Sequence, residues 1–231
     1  LSSIAEKVDL PVSTTYRILQ NLIAWQYIKE DENGMYSLGF ELITLGNIAK
    51  NNLGLRNIAH KYMAELGNMT GETIYLSVLD ETRGEVMYID KIDSRGNIKL
   101  AAGIGSRNPI HTTANGKVLI SQFSEEKIKN LLGNKKMEKR TENTITDMDS
   151  FLKEIKKVCL DGYAIDNMEN EPGVRCVAAP ILDYRHKIVG SISLSGVISN
   201  VTIENIEEKY KHLVLETAYK ISSELGYRKE D

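Results

Sequence analysis

Cysteine and proline are scarce in this 231-residue chain, two of the first and four of the second, beside one tryptophan and three phenylalanines. Two cysteines cannot staple so long a chain into a disulfide scaffold, which points to a reducing compartment. No apolar run approaches the ~20 residues of a membrane span, and no signal-peptide pattern follows Leu1, so a soluble, cytoplasmic protein is expected. Neither sign of charge dominates. The 29 Lys+Arg and 32 Asp+Glu leave −3 at pH 7, which taken alone argues against indiscriminate nucleic-acid binding. His60, His111, His186 and His212 are scattered, none at ligand spacing from a cysteine or another histidine, so no metal and no cofactor is expected. What is present is an apolar fraction of 42%, ample for a buried core and enough to exclude disorder. The length suits one large domain or two ordinary ones.

The first residues already read as a helix, with Ser2 or Ser3 as N-cap and Glu6 at capping-box spacing from Ser3. A helix starting with no lead-in predicts a further element upstream of Leu1. Pro11 breaks the chain, and a second helix is expected from about Ser13 to Trp25. The pair Asn33-Gly34 between the β-prone Tyr27-Ile28-Lys29 and Met35-Tyr36-Ser37-Leu38 signals a hairpin. Helix, tight turn, helix, hairpin is the order of a winged helix-turn-helix. Helical spacing continues over about 40–51 and, past Leu53-Gly54-Leu55, over about 56–69. Beyond that the texture changes. Paired strands are predicted at Thr73–Leu79 and Glu85–Ile92, a third at Ile98–Ala102, and others at Tyr163–Asn167, Arg175–Leu182 and Ile188–Val197. Helices are expected over 113–132 with a break near Ser124, over 148–160 and over 203–225. Hairpins interspersed with helices make an α+β domain with a mainly antiparallel sheet.

Two faces carry chemistry. At 100° per residue Thr15, Ile18, Leu19 and Leu22 form the core side of the second helix. Ser13, Tyr16, Arg17 and Gln20 form the opposite side, whose hydroxyls, guanidinium and amide suit base edges and phosphates. With Thr14 and Thr15 at the helix start, and Asn33 and Tyr36 on the wing, these are the candidate DNA contacts. Over residues 1–50, however, four basic side chains face six acidic ones, a poor electrostatic footprint for DNA, so an ordinary polar surface stays open as a reading. Ser191, Ser193 and Ser195 share one side of a strand, and Ile192 and Leu194 the other. The serines are either a solvated face or a polar pocket floor. Catalysis by Cys176 or Ser193 with His111 as base lacks any nucleophile-elbow or paired motif, so no enzyme and no catalytic residue is expected.

At this point a resemblance enters. The stretch Leu1–Ala5, then Leu10–Leu19, the wing exit Tyr36-Ser37-Leu38-Gly39, the run Gly105–Lys117, Asn143–Asp147, Gly162–Asp166 and, most specifically, Glu171–Pro180 resemble the IclR-type bacterial transcriptional regulators in order along essentially the whole chain. The resemblance implies a winged helix-turn-helix domain (residues 1–39, its first helix missing), a linker helix (40–54) and a GAF-like effector domain (55–231) with a mainly antiparallel sheet flanked by helices. It implies partners too: operator DNA, a small organic acid and further copies of the chain, as a dimer or dimer of dimers, with no membrane. It places the effector against Ser193, Ser195, Cys176 and Asp166, with backbone N–H groups of Ala114 and Asn115 facing the acid; Leu100 and Ile110 are candidate apolar walls. The expected function is a ligand-responsive repressor of a catabolic operon, controlled by a sugar-acid catabolite or a glyoxylate- or pyruvate-like acid. A sensor or interaction module that does not bind DNA is the alternative.

Overall fold

The computed structural model describes residues 1–51, 54–133 and 137–229. The chain divides into two compact units, Leu1–Leu53 and Gly54–Asp231. Of the expected boundary Leu53-Gly54-Leu55, Leu53 lies outside the described residues.

In the first unit α1 (Ser2–Lys7) and α2 (Val12–Ala24) precede a two-stranded antiparallel ribbon, β1 (Ile28–Glu30) and β2 (Tyr36–Leu38), and then α3 (Glu41–Asn51). The capping-box expectation does not hold: Ser2 and Ser3 are already helical, and Leu1 occupies the cap position with no side-chain bond. Pro11 caps α2 with φ −53°, the dihedral its ring imposes. The ribbon turn is wider than an Asn-Gly two-residue turn. Asp31 Oδ1 accepts from the backbone N–H groups of Asn33 and Met35, both at 2.9 Å, and of the Asn33-Gly34 pair only Gly34 has a positive φ. A short acidic side chain therefore shapes the wing tip in place of the left-handed asparagine that the pair implied.

The second unit is built on a six-stranded sheet in the order β5-β4-β3-β8-β7-β6, every pair antiparallel. Its strands are β3 (Thr73–Asp80), β4 (Glu85–Ile92), β5 (Arg107–Pro109), β6 (Ala164–Asn167), β7 (Val174–Leu182) and β8 (Ile188–Val197). Period-two alternation sends Ile192, Leu194, Val177 and Ile181 to one face. There they pack on α4 (Gly54–Thr70) and on α9 (Lys211–Glu224), which follows α8 (Ile203–Asn205) and a π-helical stretch (Ile206–Tyr210). The other face is covered by α5 (Ala114–Leu119), α6 (Glu125–Leu132) and α7 (Met148–Asp161) over a second core of Tyr75, Val86, Tyr88, Phe151 and Ile155. Ser124 caps α6 and Asp147 caps α7 through their side chains.

The expected strand at Ile98–Ala102 is absent and Arg107–Pro109 forms the sheet edge instead. The carbonyls of the 98–102 segment are taken by side chains: Ser94 Oγ donates to Ile98, Lys91 Nζ to Leu100 and Tyr75 Oη to Ala102. A backbone satisfied in this way has no need of a ladder. No helix among the described residues is long and apolar enough to cross a membrane.

Candidate functional site

The helix α5 packs directly on the sheet, and the sequence explains why. Ala164, Ala178 and Ser193 stand side by side across β6, β7 and β8, a row of small side chains that admits Ala114 and Val118 of the helix. Gly116 permits the matching approach on the helix's other side, where a Cβ would lie 2.2 Å from the Ile110 carbonyl oxygen. Thr113 caps α5 by accepting from Gly116 N, and the amides of Ala114 and Asn115, in the first turn, have no intrahelical acceptor.

Two residues further along the strands, Asp166, Cys176 and Ser195 form a second row on the same face. Together with Ala114, Asn115, Tyr75, Tyr88, Asn108, Thr113, Asn170, Glu171, Leu100, Ala102 and Val174 they line a cavity of about 40 Å³. Five of the six expected effector residues are thus brought together. Ser193 is the exception. Asn115 reaches across and ties up both serines beneath it, donating to Ser193 Oγ at 2.8 Å and accepting from Ser191 Oγ at 2.8 Å. All three serines are buried, so the solvated-face reading fails, yet only Ser195 opens onto the cavity. Of the expected apolar walls, Leu100 lines it. Ile110 is fully buried in the core beneath Tyr88 and belongs to a separate cavity shared with His111, Leu131 and Met137.

Asp166 sits deep in the site. Its Oδ1 accepts from the backbone N–H groups of Glu169 at 2.6 Å and Asn170 at 3.3 Å, so the loop after β6 folds around it. Burial pushes its carboxyl up to about 7, against the backbone hydrogen bonds and Lys117, which favour the charged form. Burial likewise raises the Cys176 thiol well above its ordinary range and holds the Tyr75 and Tyr88 phenols above theirs. All three therefore stay protonated, as donors, at neutral pH. The Tyr75 and Tyr88 rings pack with centroids 4.5 Å apart and planes tilted by 35°. His111 gives its Nε2 to the Glu138 carbonyl at 3.1 Å, so it is not joined to Cys176 or Ser193 as a base would be.

Behind the cavity lies a residue that the sequence reading passed over. Lys117 is 1% exposed and bonds Glu169 at 2.6 Å, Glu154 at 3.2 Å and the Ile165 carbonyl at 3.0 Å. A lysine in a helix ordinarily projects into water. The signal available was its place between Ala114 and Val118 on the inward side of a short apolar helix. Tyr75, Tyr88, Asn108, Asn170 and Glu171 were also missed; they come from strands and loops far apart in sequence, and no local pattern marks them.

In the first unit Ser13, Tyr16 and Arg17 are exposed on α2, and Thr14 and Gln20 half-buried. Thr15 departs from the expected DNA contacts. It is 3% exposed and its hydroxyl is satisfied by the Pro11 carbonyl at 3.2 Å, so it belongs to the core side on which helical spacing also put it. Ile18, expected on that core side, is 44% exposed. On the ribbon Asn33 is exposed and Tyr36 half-buried; burial and the adjacent Glu30 raise the Tyr36 phenol. Glu30, Asp31 and Glu32, all exposed, make the wing tip acidic.

Comparison with known proteins agrees with this architecture. The model of the bacterial transcriptional regulator IclR C-terminal domain matches residues 48–223, and that of the IclR helix-turn-helix domain matches residues 1–32. The chain is 36% identical over 228 residues to the HTH-type transcriptional regulator KdgR of Escherichia coli K12, covering 98% of this chain and 86% of that protein. It is 29% identical to the HTH-type transcriptional repressor AllR of the same organism over 229 residues, covering 99% of this chain and 83% of that one. Among solved structures, the Thermotoga maritima IclR superposes with a TM-score of 0.77 at 34% identity, covering 98% of this chain and 90% of the other. With a family model spanning most of its length and relatives of this similarity, the chain belongs to the IclR family of DNA-binding bacterial transcriptional regulators.

Proposed function

We propose that this regulator is a cytoplasmic repressor whose hold on operator DNA is set by a small keto or hydroxy acid bound between α5 and the sheet. The observation that carries this reading is the cavity itself: Asp166, Cys176 and Ser195 stand in one register row beneath the start of α5. Acceptors and donors then sit at different ends. Asp166 takes hydroxyls at one end, and the first-turn amides of α5, which favour negative charge, meet the carboxylate at the other. A cavity of about 40 Å³ is little larger than one water's share of the liquid, about 30 Å³. That favours an acid of the glyoxylate or pyruvate size over a six-carbon sugar acid.

On the DNA side Ser13, Thr14, Tyr16, Arg17 and Gln20 form the reading face, with Arg17 as the main phosphate or base contact. Asn33 and Tyr36 play a lesser part, because the carboxylates around them repel phosphate. The chain acts as a homo-oligomer, a reading supported by Ile43, Leu45 and Ile48, whose exposed side chains leave α3 with unburied aliphatic surface. Effector binding shifts the population of oligomer geometries and so the spacing of the two reading helices. That the similar AllR is a repressor supports the sign of control.

A thermal-shift screen tests the acid. A ligand that binds only the folded state must raise its melting temperature, so glyoxylate or pyruvate should shift the wild type while Asp166→Ala and Ser195→Ala lose the shift. An equal shift in the variants would remove the acid from this cavity.

A further inference from the structure

The cavity poses an electrostatic problem for an acid. Two carboxyl groups, Asp166 and Glu171, line it, and no lysine, arginine or histidine does. An anion must therefore be met by neutral groups that all point hydrogens at it. Asparagine and tyrosine side chains can donate or accept, so something must fix their direction.

Arg140, in the loop before α7, supplies that direction from outside the wall. One guanidinium nitrogen donates to Asn108 Oδ1 at 3.0 Å and to Asn170 Oδ1 at 2.7 Å. Thr112 Oγ1 adds a second donor to the Asn170 oxygen at 2.9 Å. Guanidinium has no acceptor, so neither amide can flip without losing its bond. Asn108 must then turn its NH2 inward, where it donates to the Tyr88 phenol oxygen at 3.2 Å. With that oxygen accepting, the Tyr88 proton points elsewhere. The Asn115 amide also donates toward that oxygen; among the described residues no side-chain or carbonyl oxygen takes the phenol proton, and none takes the Asn170 NH2.

We propose that Arg140 is a positioning residue for effector recognition: by holding Asn108 and Asn170 through their oxygens, it leaves the Tyr88 phenol proton and the Asn170 NH2 as donors to the ligand carboxylate. The ligand class is thus an anion recognised without a cation in contact with it. This rests on the cavity being the acid site, and the experiment separates the two claims.

The direction of the Tyr88 bond is read without any ligand by ultraviolet resonance Raman of the full chain, where the tyrosine doublet distinguishes a donating from an accepting phenol. The difference spectrum against Tyr88→Phe isolates this ring. In Arg140→Met, Asn108 is released to present its oxygen, so the Tyr88 doublet should move toward the donor ratio, and Arg140→Lys should restore part of the original. Calorimetric titration with glyoxylate and pyruvate gives the second readout. Arg140→Met and Tyr88→Phe should each weaken binding about tenfold, as for a lost hydrogen bond to a charged group. If Arg140 acts through Tyr88, the double variant should be little worse than either single one. An unchanged doublet, or losses that multiply to about a hundredfold, would overturn the proposal; multiplying losses would assign Arg140 a simple charge effect. If neither acid binds the wild type, the site reading fails and the doublet alone decides the orientation.

Discussion

Asp166 carries the most testable chemistry of any single side chain here. With its carboxyl pushed up to about 7 from an ordinary 3.8, the folded chain holds a proton that the unfolded chain releases. The contribution is therefore fully present below about pH 4 and is lost as pH rises through 7, a difference of up to about 4 kcal/mol. Asp166→Asn keeps an oxygen for the Glu169 and Asn170 N–H groups but cannot ionise. Denaturant unfolding between pH 5 and 8 should show the variant gaining on the wild type as pH rises; parallel profiles would mean that Asp166 titrates normally. Asn115 permits a second test. Asn115→Ala strips two buried hydroxyls of their partner and should cost about 1–3 kcal/mol. It should also open Ser193 to the cavity, so that longer acids gain affinity relative to glyoxylate. At this scale the sequence is legible only in part. Asp166, Cys176 and Ser195 are identifiable by resemblance and alternation, but that Asn115 covers Ser193 is settled by a contact between positions 78 residues apart, which no spacing encodes.

Elements are more legible than contacts, because periodicity, caps and turns are local. Ser124 and Asp147 announce α6 and α7, and β3, β4, β7 and β8 follow from apolar alternation and the turns between them. Failures arise where a local signal is overridden: the 98–102 segment has strand-like residues, but its carbonyls are claimed by Ser94, Lys91 and Tyr75. Helix α5 tests how an element is held. Lys117→Met removes the partner of the buried Glu169 and should cost roughly 3–5 kcal/mol, as for a broken buried ion pair. Adding Glu169→Gln should recover much of that cost, and failure to do so would mean that Lys117 acts by packing alone. For the β1–β2 ribbon, Glu30→Gln with Glu32→Gln should raise DNA affinity severalfold at low salt, converging with the wild type at high salt. No change at any salt would place the wing away from the phosphates.

For the whole molecule, charge does not identify the DNA-binding unit: the first fifty residues alone carry four basic and six acidic side chains, and the family is shown by its motifs instead. Family membership was visible because its motifs lie in order along the chain, whereas the cavity is assembled from residues as far apart as Tyr75 and Ser195. The central claim is that this cavity controls DNA binding. It is tested most directly by fluorescence anisotropy of the full-length protein on a duplex selected from random DNA, titrated with glyoxylate and pyruvate. One of these acids should weaken wild-type binding about tenfold or more, while Asp166→Ala binds the same duplex with wild-type affinity and ignores the acid. An equal response in both proteins, or none in either, would contradict it.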